Sequence, residues 1–561
     1  MRRLGLLLLV LLATAPARAQ PGSRRFDTGL AASVYAAALG FIAPRALDAV
    51  TVPGLTLWGL HGLTALDPEL ITDRLQGAVR LLADGRVLAR VAAPAGDAPG
   101  AWAGVAAQLS AVAWTASPTL RRAGTEAIIT AFFDEMLDHL DPYSRYIAPV
   151  QAATDEEQRT GEAGIGITLA ARGRTVVVAQ AISDGPAALA GIRAGDRILS
   201  VDGQSTWRVD PADVDAWLAG PEDTDVALEV LTRRGRRRMT LTRAQVPEEN
   251  VFASRAGPAL VVRITSFTAR TGTRLAAALQ AALADPHPPT AIILDLRGNR
   301  GGLVREAVAV ADALLPDGVV AVTRGRDPAA NRLWRSSEGQ LDPGLPLAVL
   351  VDGRTASAAE IVAAALADRG RGVVVGSSTL GKGLVQTITR LPGGGELALT
   401  WSRVLAPRGW PIQGIGVLPQ LCTSRGEAAA DRELAALAAG VQPMAAALAR
   451  ERDARPPVPL AEMVAIRDAC PAAEGTDLDL RAAKDLLTHP AAYAAALLPP
   501  LSTTTSREQP PEPAGAVTPP PAPVSGPRLP GPTPPRARAR AGNRSARRAS
   551  LGSAPRDRSV A

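Results

Sequence analysis

A multidomain α+β protein is predicted for this 561-residue chain by three shifts of residue pattern along it. Alanine-rich apolar runs fill residues 22–150, short β-type segments fill 160–244, and strands alternate with helices over 258–425. Alternation of the last kind implies an α/β core with helices packed on a sheet. Helical patterns return at 427–498, and from 500 onward proline, serine and arginine dominate. The length leaves room for roughly two to four domains, each able to bury a core of its own.

Residues 1–19 read as a secretory signal peptide. Arg2 and Arg3 precede an apolar run, Leu4 to Leu12, and small residues end at Ala17-Arg18-Ala19. The run is too short to span a bilayer, so the chain is expected to be exported, to the periplasm or cell envelope. Cys422 and Cys470 are the only cysteines. An even number in an oxidising compartment permits one disulfide, and two buried thiols are the alternative.

Within 22–150 the apolar stretches at 29–43, 55–65 and 103–115 and the amphipathic segment 125–140 predict helices. Leu66-Asp67-Pro68 and Leu140-Asp141-Pro142 each close one such run, either as a faint repeat or simply as a common helix stop. The β-rich module has strands predicted at 164–169, 175–179, 197–201, 225–232 and 239–242, with small helices at 186–190 and 211–219. In the core, strands at 260–264, 291–296 and 347–351 each run into a helix, and strands at 372–376, 385–390 and 396–404 follow. The tail from 500 to 561 has too few apolar residues to offset the entropy of ordering and is predicted to be disordered. Its ten arginines against Glu508, Glu512 and Asp557 amount to the whole chain's net charge of +7. The body is therefore not basic, which argues against nucleic acid as a partner. The tail suits contact with an anionic envelope surface, and a plain solvated spacer is the other reading.

Three segments of the core carry chemistry. Strand 291–296 runs into Arg297-Gly298-Asn299-Arg300-Gly301-Gly302, which bares backbone amides of the kind that hold an oxyanion. Strand 347–351 turns into Thr355-Ala356-Ser357-Ala358-Ala359-Glu360 at a helix start. Ser357 there is either a nucleophile or an N-cap, and Glu360 three residues on would complete a capping box. The third segment is Gly381-Lys382-Gly383-Leu384-Val385-Gln386. Only two of the 61 basic residues are lysine, and Lys382 is set between glycines. Lysine, unlike arginine, can be desolvated, lose its proton and act as a base. An extended backbone would put Lys382 and Gln386 on one face, so that the amide could orient the amine. His61, His139, His287 and His489 are scattered, with no metal-type spacing, and no nucleotide-binding glycine pattern is completed. No metal and no cofactor is expected.

Ser357, then Gly381-Lys382-Gly383 with Lys382 twenty-five residues on, then Gln386, resembles the Ser-Lys-Gln signature of the C-terminal processing peptidases, the tail-specific serine proteases of peptidase family S41. Leu140 to Tyr146, Gly164 to Ile167, Ala190 to Asp196, Leu294 to Asn299 and Ile412 to Pro419 stand in the order that family shows. The resemblance implies a PDZ domain at 160–244 inserted before a crotonase/ClpP-like α/β protease core. It implies Ser357 as nucleophile, Lys382 as general base and Gln386 as its orienter, with oxyanion amides from Ala358 and from Gly301 or Gly302. Gly164, Ile165, Gly166 and Ile167 would bind the terminal carboxylate of protein or peptide substrates with apolar C-termini, the tail adding as a β-strand. Some relatives dimerise through the N-terminal helices, so a homodimer is a further expectation, against packing within one chain. Thr355, Ala359, Arg300, Leu380 and Gln420 depart from the residues common in the family, and none removes a catalytic side chain. Two other functions compete: a non-catalytic PDZ scaffold of the cell envelope, and an acyl-thioester enzyme on a related core.

Overall fold

The structure, a computed structural model, describes residues 25–337 and 339–500. The segment 1–19 read as a signal peptide and the Pro/Arg-rich stretch beyond 500, with the disorder and envelope contact expected of it, lie outside the described residues.

The N-terminal region is built on helices Thr28–Arg45, Val52–Leu66, Pro99–Ala116 and Thr125–Asp138. Small residues set their spacing. A Cβ on Gly62 would stand 2.2 Å from the Ala131 carbonyl oxygen, so the Val52–Leu66 and Thr125–Asp138 helices meet almost backbone to backbone. An antiparallel meander, Leu70–Leu75, Ala78–Ala83 and Arg86–Ala92, interrupts the helices and is an addition to the sequence reading. Its turns are Gln76-Gly77 and Asp84-Gly85, all four residues at positive φ. That is the two-residue hairpin chemistry that matches strand twist.

The β-rich module is a sheet in the order Gly235–Thr242, Asp225–Thr232, Arg197–Val201, Thr175–Ala181, Ile167–Arg172, with helices Pro186–Leu189 and Pro211–Leu218. Val176, Val178, Ile198, Val226, Leu228 and Val230 bury their side chains between sheet and helices. Entry strand Glu162–Gly164 pairs with exit strand Ala244–Val246, which closes the module at its neck and returns the chain to where it left.

In the core sheet Val251–Ala256 runs antiparallel to Ala259–Ile264, and Ala291–Asp295, Leu347–Val351, Val373–Gly376 and Leu421–Cys422 continue it in parallel. All five residues of Leu347–Val351 are buried. Parallel strands of this kind need cover on both faces. Leu347, Val349 and Val351 point into one apolar cluster with the helix Ala358–Asp368, whose eleven residues are all buried. Ala348 and Leu350 point the other way, onto Leu437, Ala482, Ala483 and Leu486. That second cover comes from helices Glu427–Ala438 and Asp477–Thr488, so the C-terminal extension is a layer of the core rather than an appendage.

A second sheet, Arg332–Ser336, Gly318–Arg324, Glu396–Leu405 and Leu384–Arg390, takes strand Arg145–Ile147 of the N-terminal region onto Glu396–Leu405. Cys422 and Cys470 are joined in a disulfide across 48 residues, a loop whose closure contributes about 2–4 kcal/mol.

Candidate active site

Three turns meet at the carboxyl ends of the parallel strands. The first follows Ala291–Asp295. Gly301 has φ +95°, and a Cβ there would lie 2.8 Å from both the Ala356 oxygen and the Ser357 Cβ, so glycine alone lets this turn press against Ser357. The Gly301 amide is already engaged, donating to Asn299 Oδ1 at 2.8 Å. Among the described residues the Gly302 and Ala358 amides have no hydrogen-bond acceptor. Ala358, at the first helical position, is among the residues a helix start leaves unbonded.

The second turn follows Leu347–Val351. Asp352 Oδ1 accepts the amides of Gly298, Arg354 and Thr355 at 2.9–3.0 Å, which ties it to the first turn. Ser357 then sits at φ +56°, a conformation that costs a non-glycine residue about 1–3 kcal/mol. The sharp bend presents a half-buried Ser357 at the mouth of the helix. The capping reading of the Ser357 segment has a counterpart here, because Glu360 Oε2 accepts the Ser357 amide at 2.7 Å.

The third turn carries Lys382. Glu360 reaches it as well: Oε1 accepts Thr379 Oγ1 at 2.5 Å and the Gly381 amide at 2.7 Å, and Oε2 accepts the Lys382 amide at 2.9 Å. One fully buried carboxylate thus binds the backbone of the serine and of the lysine together. Burial pushes its pKa above the ordinary carboxylate range, and the four donors pull against that. The sequence had marked Glu360 only as a capping partner.

Lys382 Nζ stands 4.9 Å from the centre of the Tyr143 ring and has no hydrogen-bond partner among the described residues. Burial is the main cause that lowers its pKa from the ordinary lysine value. Arg145 lowers it further, and Asp141 and Glu360 act in the opposite sense. Gln386 is held differently from the sequence expectation. Its Nε2 donates to the Tyr143 carbonyl, 243 residues away, instead of meeting the amine. The reason is local: the strand Leu384–Arg390 begins only after Lys382, so no continuous strand runs from 382 to 386 and the simple two-residue alternation does not hold.

Tyr143 is a site neighbour that sequence reasoning did not single out. Asp141 Oδ1 accepts the amides of Tyr143 and Ser144 and the hydroxyl of Thr400, and Ser144 Oγ in turn accepts the Thr400 amide. This docks the loop on Glu396–Leu405 and brings Tyr143 to the lysine. Asp141→Ala is expected to destabilise the chain by about 1–3 kcal/mol, because it leaves donors without an acceptor. Urea unfolding beside the parent measures it, and an unchanged midpoint would contradict the docking role.

A cleft of about 1620 Å³ joins these elements. Ser357, Lys382, Gln386, Gly301 and Gly302 line one part, and Gly164, Ile165, Gly166 and Ile167 line another. Ala358 is buried behind them. Within the second group the Ile165 side chain is buried in the module's own core and its carbonyl accepts the Ala187 amide, while Gly164 pairs with Ala244. Ile167 opens the strand Ile167–Arg172, which faces helix Pro211–Leu218. Among the described residues no group of three or more His, Cys, Asp or Glu side chains could hold a metal ion.

A β-rich module inserted before an α/β core with a serine at a strained strand-to-helix turn is the architecture of a PDZ-containing serine protease, and the family comparisons identify it as one. The pattern of peptidase family S41 matches residues 259–422, and that of a PDZ domain matches 177–232. The carboxy-terminal-processing protease of Bartonella bacilliformis is 34% identical over 306 residues, covering 53% of this chain and 69% of that protein. The carboxyl-terminal-processing protease of Synechocystis is 32% identical over 297 residues, covering 51% and 69%. Among solved structures, a photosystem II D1 C-terminal processing protease aligns at 28% identity over 65% of this chain and 92% of that one, with a TM-score of 0.34. The chain belongs to the carboxy-terminal-processing proteases of peptidase family S41.

Proposed function

We propose that this chain is an exported endopeptidase that takes an apolar C-terminal tail into its PDZ groove and cuts the same polypeptide by acyl-enzyme chemistry at Ser357. The observation that carries the reading is the shared cleft, which has the Gly164–Ile167 segment and the Ser357–Lys382 pair on its walls.

Ser357 Oγ attacks the scissile carbonyl carbon while neutral Lys382 takes the hydroxyl proton. The lysine then gives that proton to the leaving amine, and water, activated by the same amine, releases the acyl group. The Gly302 and Ala358 amides are the donors assigned to the tetrahedral oxyanion. Gln386 acts through the Tyr143 carbonyl, steadying the ring beside the amine. Proton transfer needs Ser357 and Lys382 within hydrogen-bond reach, which makes substrate-driven closure part of the proposed cycle.

Export is inferred from the signal-like residues 1–19, and a disulfide suits an oxidising compartment. No described helix is long and apolar enough to cross a membrane. We propose the domain division 22–150, 160–244, 258–425 and 427–498, of which residues 22–24 lie outside the described residues.

The test is cleavage of an unfolded protein that ends in an apolar tail, with chelator present, against the same protein with an amidated C-terminus. The free tail is expected to be cut roughly tenfold faster, about the value of one lost carboxylate contact. Equal rates would refute tail recognition, and loss of cleavage on chelation would refute a metal-independent mechanism.

A further inference from the structure

Beyond the stretch matched by the family pattern, residues 463–479 close over the back of the active-site turns. Arg467 ends helix Leu460–Arg467, and its Nη1 donates to the carbonyls of Thr379 at 3.0 Å, Leu380 at 3.4 Å and Ile415 at 3.2 Å. A Cβ on Gly416 would lie 3.1 Å from that nitrogen, and one on Gly381 3.4 Å, so side-chain-free backbone is what lets the guanidinium in.

The segment that carries Arg467 is itself anchored. Cys470, three residues on, is bonded to Cys422 of the core sheet, and its carbonyl accepts the Ser378 amide at 3.3 Å. Ala473 donates to Ser377 Oγ at 3.1 Å and accepts the Gly353 amide at 2.7 Å. Arg297, in the first turn, donates to the Thr476 carbonyl at 2.6 Å and to Asp479 at 3.2 Å.

The turn before Lys382 is therefore held from two sides by opposite charges. Its hydroxyl and amide donors go to the Glu360 carboxylate, and its carbonyls go to the Arg467 guanidinium. A planar cation that is always charged suits a cluster of carbonyl oxygens. We propose that Arg467 is a positioning residue for Lys382, fixing from the C-terminal extension the turn that delivers the lysine amine to Ser357. The proposal rests on the Ser-Lys reading of the site.

Charged and aromatic groups that face the amine are Arg145, Asp141, Glu360 and the Tyr143 ring. A change at Arg467 substitutes none of them. If the turn loosens, water reaches the amine, the burial that lowers its pKa weakens, and the acid limb of activity moves to higher pH.

The experiment measures kcat, KM and the pH profile of kcat/KM on a fluorogenic peptide with an apolar C-terminal tail. It compares the parent, Arg467→Gln, Arg467→Lys, the Cys422→Ser/Cys470→Ser double variant and Lys382→Ala. Arg467→Gln is expected to lower kcat roughly tenfold at neutral pH, about what one charge-assisted hydrogen bond supplies. KM should stay near the parent value, and the acid limb should rise by about half a pH unit. Arg467→Lys should recover part of both, and the cysteine double variant should move both in the same direction by less. An unchanged kcat and limb in Arg467→Gln would overturn the proposal. So would a kcat loss with no shift of the limb in both arginine variants, which would mark a merely structural role. Retained turnover by Lys382→Ala would instead overturn the Ser-Lys reading beneath it.

Discussion

Lys382→Arg is expected to lower kcat/KM for peptide hydrolysis by roughly a thousandfold while leaving the fold intact, the order that removing a general base usually costs. Charge, length and much of the ring contact with Tyr143 persist in the variant, and the capacity to accept a proton does not, because a guanidinium stays protonated at any working pH. In the parent, burial and Arg145 lower the lysine pKa. In the proposed mechanism the catalytic form is the neutral amine, so parent activity should rise with pH through that lowered value, and the variant should have no such limb. The same shift acts on stability. With the folded pKa below the unfolded one, the unfolded chain holds the proton over the interval between them, and this group adds stability as pH rises across it. Steady-state kinetics over a pH series, with circular dichroism as the fold control, checks both. Turnover within tenfold of the parent would remove the lysine from the mechanism.

Glu360→Ala should be the most disruptive single change behind the cleft. It removes the acceptor of four donors, three of them backbone amides on two different turns. Each buried donor left without an acceptor typically costs about 1–3 kcal/mol, so the change should destabilise the chain by several kcal/mol. Loss of register between the serine and lysine turns should lower kcat by roughly a hundredfold, since catalysis tolerates little misplacement. Glu360→Gln keeps one acceptor oxygen and should fall between. The raised pKa of Glu360 means that its ionised form is held at some expense of stability at neutral pH, which is reasonable for a group whose work is alignment. Denaturant unfolding and peptide turnover on both variants measure the two effects separately. Parent-like turnover by Glu360→Ala would show that the turns hold their positions without it.

Legibility in the sequence followed the range of the interactions. The strand-helix alternation, the glycine turn after strand 291–296 and the serine at a helix start are set by contacts within a few residues, and all could be read directly. The meander at 70–92 was missed, because residues 22–150 were read as mainly helical, although Gln76-Gly77 and Asp84-Gly85 are its turns. Gln386 was read from an ideal extended spacing, but its strand begins only at Leu384, after Lys382, and its amide meets the Tyr143 carbonyl instead.

Pattern within a few residues was enough to mark the order of the domains, the three chemical turns, and Ser357 and Lys382 as the groups to watch. Four features needed the folded chain: the disulfide, the second cover of the core sheet, the role of Glu360 as a shared anchor, and the approach of Tyr143 and Arg467 to the lysine turn. Each joins segments from 19 to more than 200 residues apart. Such pairings carry no local propensity and leave no period in the sequence. They arise because a parallel sheet buried on both faces brings its strand ends and its covering helices to one place.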